Sequence, residues 1–456
     1  MNPPGSTEKA STGLYHSTDA VSVQGRALRS GDVPVGVYGL GKIGRPVAAA
    51  FADLTGNVVG VDTDPAVVEA IQRGEGGFEH EPGLESALAS CVETGSLFVT
   101  TDGRRAADYA SVHVVVVPVG LTAEKTADLG VLSAATKTVA SGLSPGDLVV
   151  VETTVPPGSC RDTVTPLLEE HSGLDRGQFG VAHCPERTSS GRALADVRGT
   201  YPRVVGGIDE ESTRAATLVY DELVDNDIEQ VADAETAEVV KIAEGLYRDA
   251  NIALANELAK QTDEIGVDVR EVIRAANTQP YCDIHTPGAG VGGHCIPYYP
   301  HFLISAVPDP MPVVETARET NDSMPRFTVE KTVDRLAAHG PGVEGATVAV
   351  FGLAYRPGIP ETAASPAEGV IRGLAERGAN VIAVDPVVDG SDLFGAPIVP
   401  LSNVDDFDVD GVVVVTAHEE FCTFDWERFD DVVVVDGRDV VDRPVHPTYT
   451  IGRGDR

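Results

Sequence analysis

From residue 34 onward, short apolar runs alternate with longer stretches of helical character. The runs at 35–39, 58–62, 112–118 and 148–152 are rich in valine and bounded by turn-forming residues, and they predict buried parallel strands. Strands alternating with helices in this way are the signature of a doubly wound sheet. Near Ser212 the texture changes, because few glycines or prolines interrupt residues 212–266. Within 235–266, Val239, Ile242, Ala243, Leu246, Ala250, Leu254 and Leu258 recur at spacings of three and four. That spacing predicts an amphipathic helix long enough to link two domains. A Gly- and Pro-rich segment at 280–300 interrupts helix formation. A second block of apolar runs, at 347–352, 381–385, 412–416 and 432–436, then predicts another set of parallel strands. The expected fold is α/β: two Rossmann-like doubly wound domains joined by a central helical domain with a long linking helix. The expected divisions are a poorly ordered tail at 1–32, an α/β domain at 33–211, a helical domain at 212–330 and a second α/β domain at 331–456.

Composition narrows the class. Hydrophobic residues make up 42% of the 456 residues, enough for large cores. No apolar run approaches the roughly 20 residues of a membrane helix, and the start of the chain lacks a signal-type apolar stretch. A cytoplasmic protein with no membrane partner is expected. Lys and Arg number 34 against 70 Asp and Glu, a net charge of −36. Such a charge repels nucleic acid. The acids are dispersed, which suits a salt-rich cytoplasm and predicts a halophilic source. Stability should therefore rise from low ionic strength toward molar salt, where the Debye length falls to about 3 Å. A melting temperature that stays flat or falls over that range would contradict this expectation. The six cysteines form no CxxC pair and no Cys/His spacing of zinc type, so reduced thiols and no metal are expected.

The first strand runs into Gly39-Leu40-Gly41-Lys42-Ile43-Gly44, a GxGxxG. The first glycine permits the tight turn, the second lets backbone approach a pyrophosphate, and the third lets helix pack on strand. The helix that begins there, with Lys42 and Ile43 at its entrance, presents N–H groups and its dipole to phosphate. Asp62 ends the next strand, where a carboxylate accepts hydrogen bonds from a ribose 2′-OH and repels a 2′-phosphate. The cofactor expected is NAD. The second α/β block has 351–358, FGLAYRPG, without the glycine triplet, and is expected to hold a different ligand.

The segment 291–297, VGGHCIP, places Cys295 after Gly292, Gly293 and His294. Glycines there free backbone N–H groups near a ligand, and a cysteine so held is a candidate nucleophile. Free cysteines are also often small buried hydrophobes. Lys241, on the long helix among apolar neighbours, is either a stabiliser of an oxyanion or thiolate or a solvated helix-face lysine. Spacing alone leaves both pairs of readings open.

Taken in order, GLGKIG with Asp62, HEPGLE at 80–85, ETTVPPGS at 152–159, CPER at 184–187, EVVKIAE at 238–244, NIALANELA at 251–259, PGAGVGGHCIP at 287–297, ARETNDSMP at 317–325 and FGLAYRPG at 351–358 resemble the UDP-glucose/GDP-mannose dehydrogenase family across 34–440. CPER and VGGHCIP resemble the branch acting on UDP-N-acetylhexosamines, which makes UDP-N-acetylmannosamine the leading substrate. The resemblance implies a four-electron oxidation of a sugar CH₂OH to carboxylate with two NAD per turnover. Cys295 would pass through a thiohemiacetal and a thioester, with Lys241 stabilising the oxyanions. It further implies a sugar-nucleotide-binding C-terminal domain and a homodimer, or higher homo-oligomer, formed through the central helices. Glu152 is either a group that binds or positions water or a strand-end surface carboxylate, and Thr154 is a candidate for the cofactor. Glu186, Arg187, Asn251, Gly292, Gly293, His294 and Arg356 are candidates for the nucleotide sugar, the arginines because guanidinium matches phosphate geometry. Asn251 and Asn256 are each either a ligand or a helix-packing group, and Arg187 and Arg356 are each otherwise a structural ion-pair partner. Four positions depart from the family pattern: Gly245 for Asn, Tyr299 for Asp, and Tyr281 and Ala363 each for Arg. They bear on substrate identity and thioester hydrolysis. The rival readings are a UDP-glucose dehydrogenase and a nucleotide-sugar binder that has lost turnover.

Overall fold

The computed structural model describes residues 13–78 and 80–455. Residues 1–12 of the expected tail lie outside the described residues. The tail does not extend to residue 32: Leu14 and Tyr15 are buried, helix Val21–Arg29 follows, and its Leu28 is fully enclosed. Leu14 and Leu28 belong to the same core as the strand valines of the first unit, which is what orders this segment.

The chain forms two compact units, the first ending at Ala243 and the second beginning at Glu244. The first contains a sheet of eight strands: β1 (Val35–Tyr38), β2 (Val58–Val61), β3 (Leu97–Thr100), β4 (Val112–Val115), β5 (Leu148–Val151), β6 (Gly180–His183), β7 (Arg203–Gly207) and β8 (Ile228–Gln230). Their order is β8–β7–β6–β5–β4–β1–β2–β3, and every neighbouring pair is parallel except β6 with β7. The run β3–β2–β1–β4–β5–β6 is the dinucleotide-binding order, in which the chain reverses direction between β1 and β4. The valine runs are buried on both faces. Val112 and Val114 enter one core while Val115 enters the other, so a strand of continuous valines feeds two layers.

The first unit does not end at residue 211. Helix Glu210–Leu223 starts at Asp209, whose side chain accepts from the Ser212 N–H, and buries Ala215, Ala216, Val219 and Tyr220 in the core of β1 and β4. Its helical texture belongs to the α/β layer, not to a separate domain. The long helix spans Ala234–Lys260 and is followed by a separate turn, Thr262–Ile265, closed by Gly266 at φ 72°. Of the predicted stripe only Ile242 is fully buried and Leu254 is 48% exposed, while Gly245, Asp249, Ala253, Asn256 and Ala259 are enclosed.

The second unit carries β9 (Thr347–Phe351), β10 (Asn380–Val384), β11 (Gly411–Val414), β12 (Val433–Asp436), β13 (Thr448–Thr450) and β14 (Gly454–Asp455), in the order β10–β9–β11–β12–β13–β14. Ala259, Ala289 and Met324 share one core with Val348, Val350 and Val413, so the helices after residue 244 and this sheet are one body. No helix among the described residues is long and apolar enough to cross a membrane.

Candidate active site

The glycine loop after β1 separates internal from external constraints. Gly39 adopts φ 95°, and a Cβ there would stand 2.2 Å from the Val116 carbonyl oxygen; one on Gly44 would stand 1.7 Å from the Gly39 oxygen. Both glycines are demanded by the fold. A Cβ on Gly41 would meet nothing within 4 Å, so the open space is where a ligand approaches. Helix Gly44–Thr55 begins after Ile43 with no side-chain cap and no acid in its first turn, which leaves its positive end for phosphate. Lys42 is exposed beside it. Asp62 accepts from the Leu40 N–H at 2.8 Å and from the Asp64 N–H at 2.9 Å, and so holds the loop against the end of β2. These residues fit a dinucleotide. In the second unit Asp385 accepts from the Leu353 N–H at 2.7 Å as Asp62 does from Leu40, and its Oδ2 also takes the Ala354 N–H at 2.9 Å.

Glu152, expected to bind or position water, is instead sealed inside the first unit. It accepts from the Tyr220 hydroxyl at 2.5 Å and faces the buried Arg203 guanidinium at 4.0 Å. Burial raises its affinity for a proton, and Arg203 opposes that shift. The geometry makes it a structural counter-charge. Thr154 lies buried just beyond β5. Glu186 is half-buried and accepts from the Thr188 N–H, and Arg187 donates to the Pro202 carbonyl at 2.9 Å.

Lys241 is half-buried and lies within electrostatic reach of His183. There the structure joins three residues that sequence spacing kept apart. Donor atoms of Cys160, His183 and Glu238 lie within 4.8 Å of one another, all buried. The Glu238 carboxylate already accepts from the N–H groups of Gly158 and Cys160, at 2.6 and 2.8 Å, and caps the π-helical segment Cys160–Val164. Neither ring nitrogen of His183 has a hydrogen bond of good geometry; the nearby Val151 carbonyl already accepts from the Cys184 N–H.

Burial pushes the Glu238 carboxyl up to about 7, against the donated hydrogen bonds. Burial, reinforced by Lys241, pushes His183 down to about 3. These shifts act oppositely on stability. The His183 contribution is complete above about 6.5 and is lost as pH falls toward about 3. The Glu238 contribution is complete below about 4.5 and is lost as pH rises toward about 7. Between about 4.5 and 6.5 the two slopes cancel. Glu238→Gln removes one of them, so it should gain on the parent by about 3 kcal/mol as pH rises from about 4.5 to 7. Denaturant unfolding across that range reads the difference, and a constant gap would contradict the assignment.

In the second unit Cys295 is exposed, among six cysteines that are all free. Its loop is tied down by buried polar groups. Asn256 accepts from the Gly288 N–H at 2.9 Å and donates to Asn321 at 2.8 Å; Asn321 donates to Asp249 at 2.7 Å. Arg318 pairs with Asp249 at 2.6 Å and reaches the Ile296 carbonyl at 3.4 Å. Asn256 is therefore a structural clamp. Asn251, expected at the substrate, is likewise engaged: it donates to the Asp283 carbonyl and accepts from the His285 N–H, at 2.7 and 2.6 Å. Gly292 and Gly293, expected to face a ligand, face Tyr355, with Cβ positions 2.6 and 2.9 Å from its side chain. His294 is exposed, with Glu361 at 3.9 Å. Arg356 is exposed and has no ion pair among the described residues.

Three family models match the chain: the NAD binding domain of the UDP-glucose/GDP-mannose dehydrogenase family over residues 33–224, its central domain over 235–323 and its UDP binding domain over 349–443. A UDP-N-acetyl-D-mannosamine dehydrogenase of Pyrococcus horikoshii is 35% identical over 429 residues, 92% of this chain and 99% of that one. A solved UDP-D-ManNAc dehydrogenase of the same organism superposes with a TM-score of 0.86 at 35% identity, covering 93% and 100% of the two chains. A solved UDP-glucose dehydrogenase of Pyrobaculum islandicum gives 0.82 at 30% identity, covering 92% and 98%.

Proposed function

The chain belongs to the UDP-glucose/GDP-mannose dehydrogenase family, an NAD-dependent oxidoreductase family, and on that footing we propose that it oxidises the C6 alcohol of a UDP-N-acetylhexosamine, UDP-N-acetylmannosamine foremost, to the carboxylate. The observation that carries this reading is an exposed Cys295 on a loop fixed by Asn256, Asn321 and Arg318. A nucleophile at the surface of a rigid loop is poised for covalent capture of an aldehyde. The Cys295 sulfur adds to the aldehyde to give a thiohemiacetal, which is oxidised to a thioester and hydrolysed by water. Lys241 stabilises the oxyanions, and Arg356, Glu186, Arg187 and His294 contact the nucleotide sugar. Gly39, Gly41, Gly44, Lys42, Ile43, Asp62 and Thr154 would hold NAD, and two NAD per turnover would accept the two hydrides, one lost as the C6 alcohol becomes the aldehyde and one as the thiohemiacetal becomes the thioester.

The Pyrobaculum islandicum match favours UDP-glucose as the second reading. Assay of both UDP-sugars with NAD separates them: the expected result is a higher kcat/KM for UDP-N-acetylmannosamine, and a preference for UDP-glucose would overturn the substrate assignment. Asp62→Asn should lower the preference for NAD over NADP about tenfold or more, because a repulsive carboxylate is removed. An unchanged NAD/NADP ratio would remove Asp62 from the ribose site.

The second unit also presents a shallow groove of about 370 Å³ lined by Ala250, Leu254, Pro312, Val313 and Thr316, with Val313 75% exposed. Apolar surface of this kind supports a homodimer formed through the central helices. Six free cysteines and an acidic, dispersed surface support a reducing, salt-rich cytoplasm.

A further inference from the structure

Two of the four departures from the family pattern meet in space. Gly245 lies inside helix Ala234–Lys260, where glycine weakens a helix by about 1 kcal/mol relative to alanine. It is buried and does not adopt a positive φ, so backbone geometry does not call for it. What calls for it is Tyr299. A Cβ at 245 would stand 2.7 Å from Tyr299 Cδ2 and 3.3 Å from its Cβ, so the aromatic ring occupies the space any side chain would need. Tyr299 opens helix Tyr299–Ala306, donates its N–H to the Cys295 carbonyl at 3.0 Å and packs its ring against Phe302 at 5.9 Å. From that seat its hydroxyl donates to Cys295 Sγ at 3.3 Å.

We propose that Gly245 and Tyr299 act as one device, a glycine slot that seats a phenol whose hydroxyl positions and hydrogen-bonds the sulfur of Cys295. The proposal rests on the reading of Cys295 as nucleophile and adds Tyr299 to the catalytic groups, since it touches the reacting atom. A donated hydrogen bond favours the thiolate over the thiol and restricts the rotation of the sulfur. The donor is neutral, so it does this without adding charge. The other ionisable groups on this segment and the elements packed against it are His301 on the same helix, His294 with Glu361, Tyr298, Tyr355 against Gly292 and Gly293, Glu244 and Arg248 beside Gly245, and Arg318 with Asp249 and Asp322. All of them stay in place in the variants below.

The test is the pH profile of Cys295 alkylation by iodoacetamide in the full chain, without NAD or sugar nucleotide, with the labelled residue identified by peptide mass. Tyr299→Phe keeps the ring and removes only the hydroxyl. Its profile should move to higher pH, with labelling about three- to tenfold slower at neutral pH. Gly245→Ala, which leaves the hydroxyl but displaces the ring, should move the profile the same way and lower the melting temperature. In a Tyr299→Ala background the same Gly245→Ala change should no longer destabilise, since the clash is gone. A Tyr299→Phe profile that overlays the parent would overturn the role of the hydroxyl. An equal cost of Gly245→Ala in both backgrounds would overturn the slot. Alkylation does not depend on turnover, so an inactive protein with shifted profiles would defeat the proposed function and leave this proposal standing.

Discussion

Cys295→Ser is expected to abolish uronic acid formation, by at least about a thousandfold, roughly 4 kcal/mol of barrier, while NAD binding persists. A serine hydroxyl at neutral pH is a far weaker nucleophile than a thiol, and an oxygen ester at this position would not share the reactivity of a thioester toward water. The dinucleotide loop lies in the first unit and keeps its own supports, the Asp62 contacts to Leu40 and Asp64. NAD titration by fluorescence should thus match the parent. Undiminished acid formation by this variant would end the covalent route.

Glu152→Gln is expected to destabilise the first unit by about 3–5 kcal/mol, because it leaves the buried Arg203 guanidinium without its counter-charge. Gln keeps the volume and an acceptor for Tyr220, so the loss isolates the charge. Denaturant unfolding of the first unit's transition measures it. With stability lost but the enzyme still folded, turnover should show no new burst of NADH. A variant as stable as the parent that accumulates acyl-enzyme would return Glu152 to water positioning.

The eight strands predicted from valine runs were legible because parallel strands covered on both faces are apolar without interruption, and all eight occupy the two sheets. Strands such as β3 and β7 were not, since Leu97–Thr100 alternates and Arg203–Gly207 mixes a buried arginine with glycines. Helix Glu210–Leu223 misled the domain boundary because periodicity reports an apolar face and not the partner that covers it. The glycine turn after β1 was readable, for Gly39 and Gly44 act through local backbone. Asn251, Gly292 and Gly293 were not. Their partners Asp283, His285 and Tyr355 come from other segments, and a residue type does not say whether protein or ligand faces it. The same holds for Gly245 and Tyr299, which are 54 positions apart in the numbering and become one contact only in the fold.

A double oxidation at one carbon fixes the stoichiometry of NAD reduction. UDP-N-acetylmannosamine, limiting against NAD, is converted to completion while NADH is followed by absorbance and the sugar nucleotide product by mass. Two NADH are expected for each uronic acid formed, with no free aldehyde. One NADH per sugar with release of the aldehyde, or binding of the sugar nucleotide without NADH, would contradict the double oxidation.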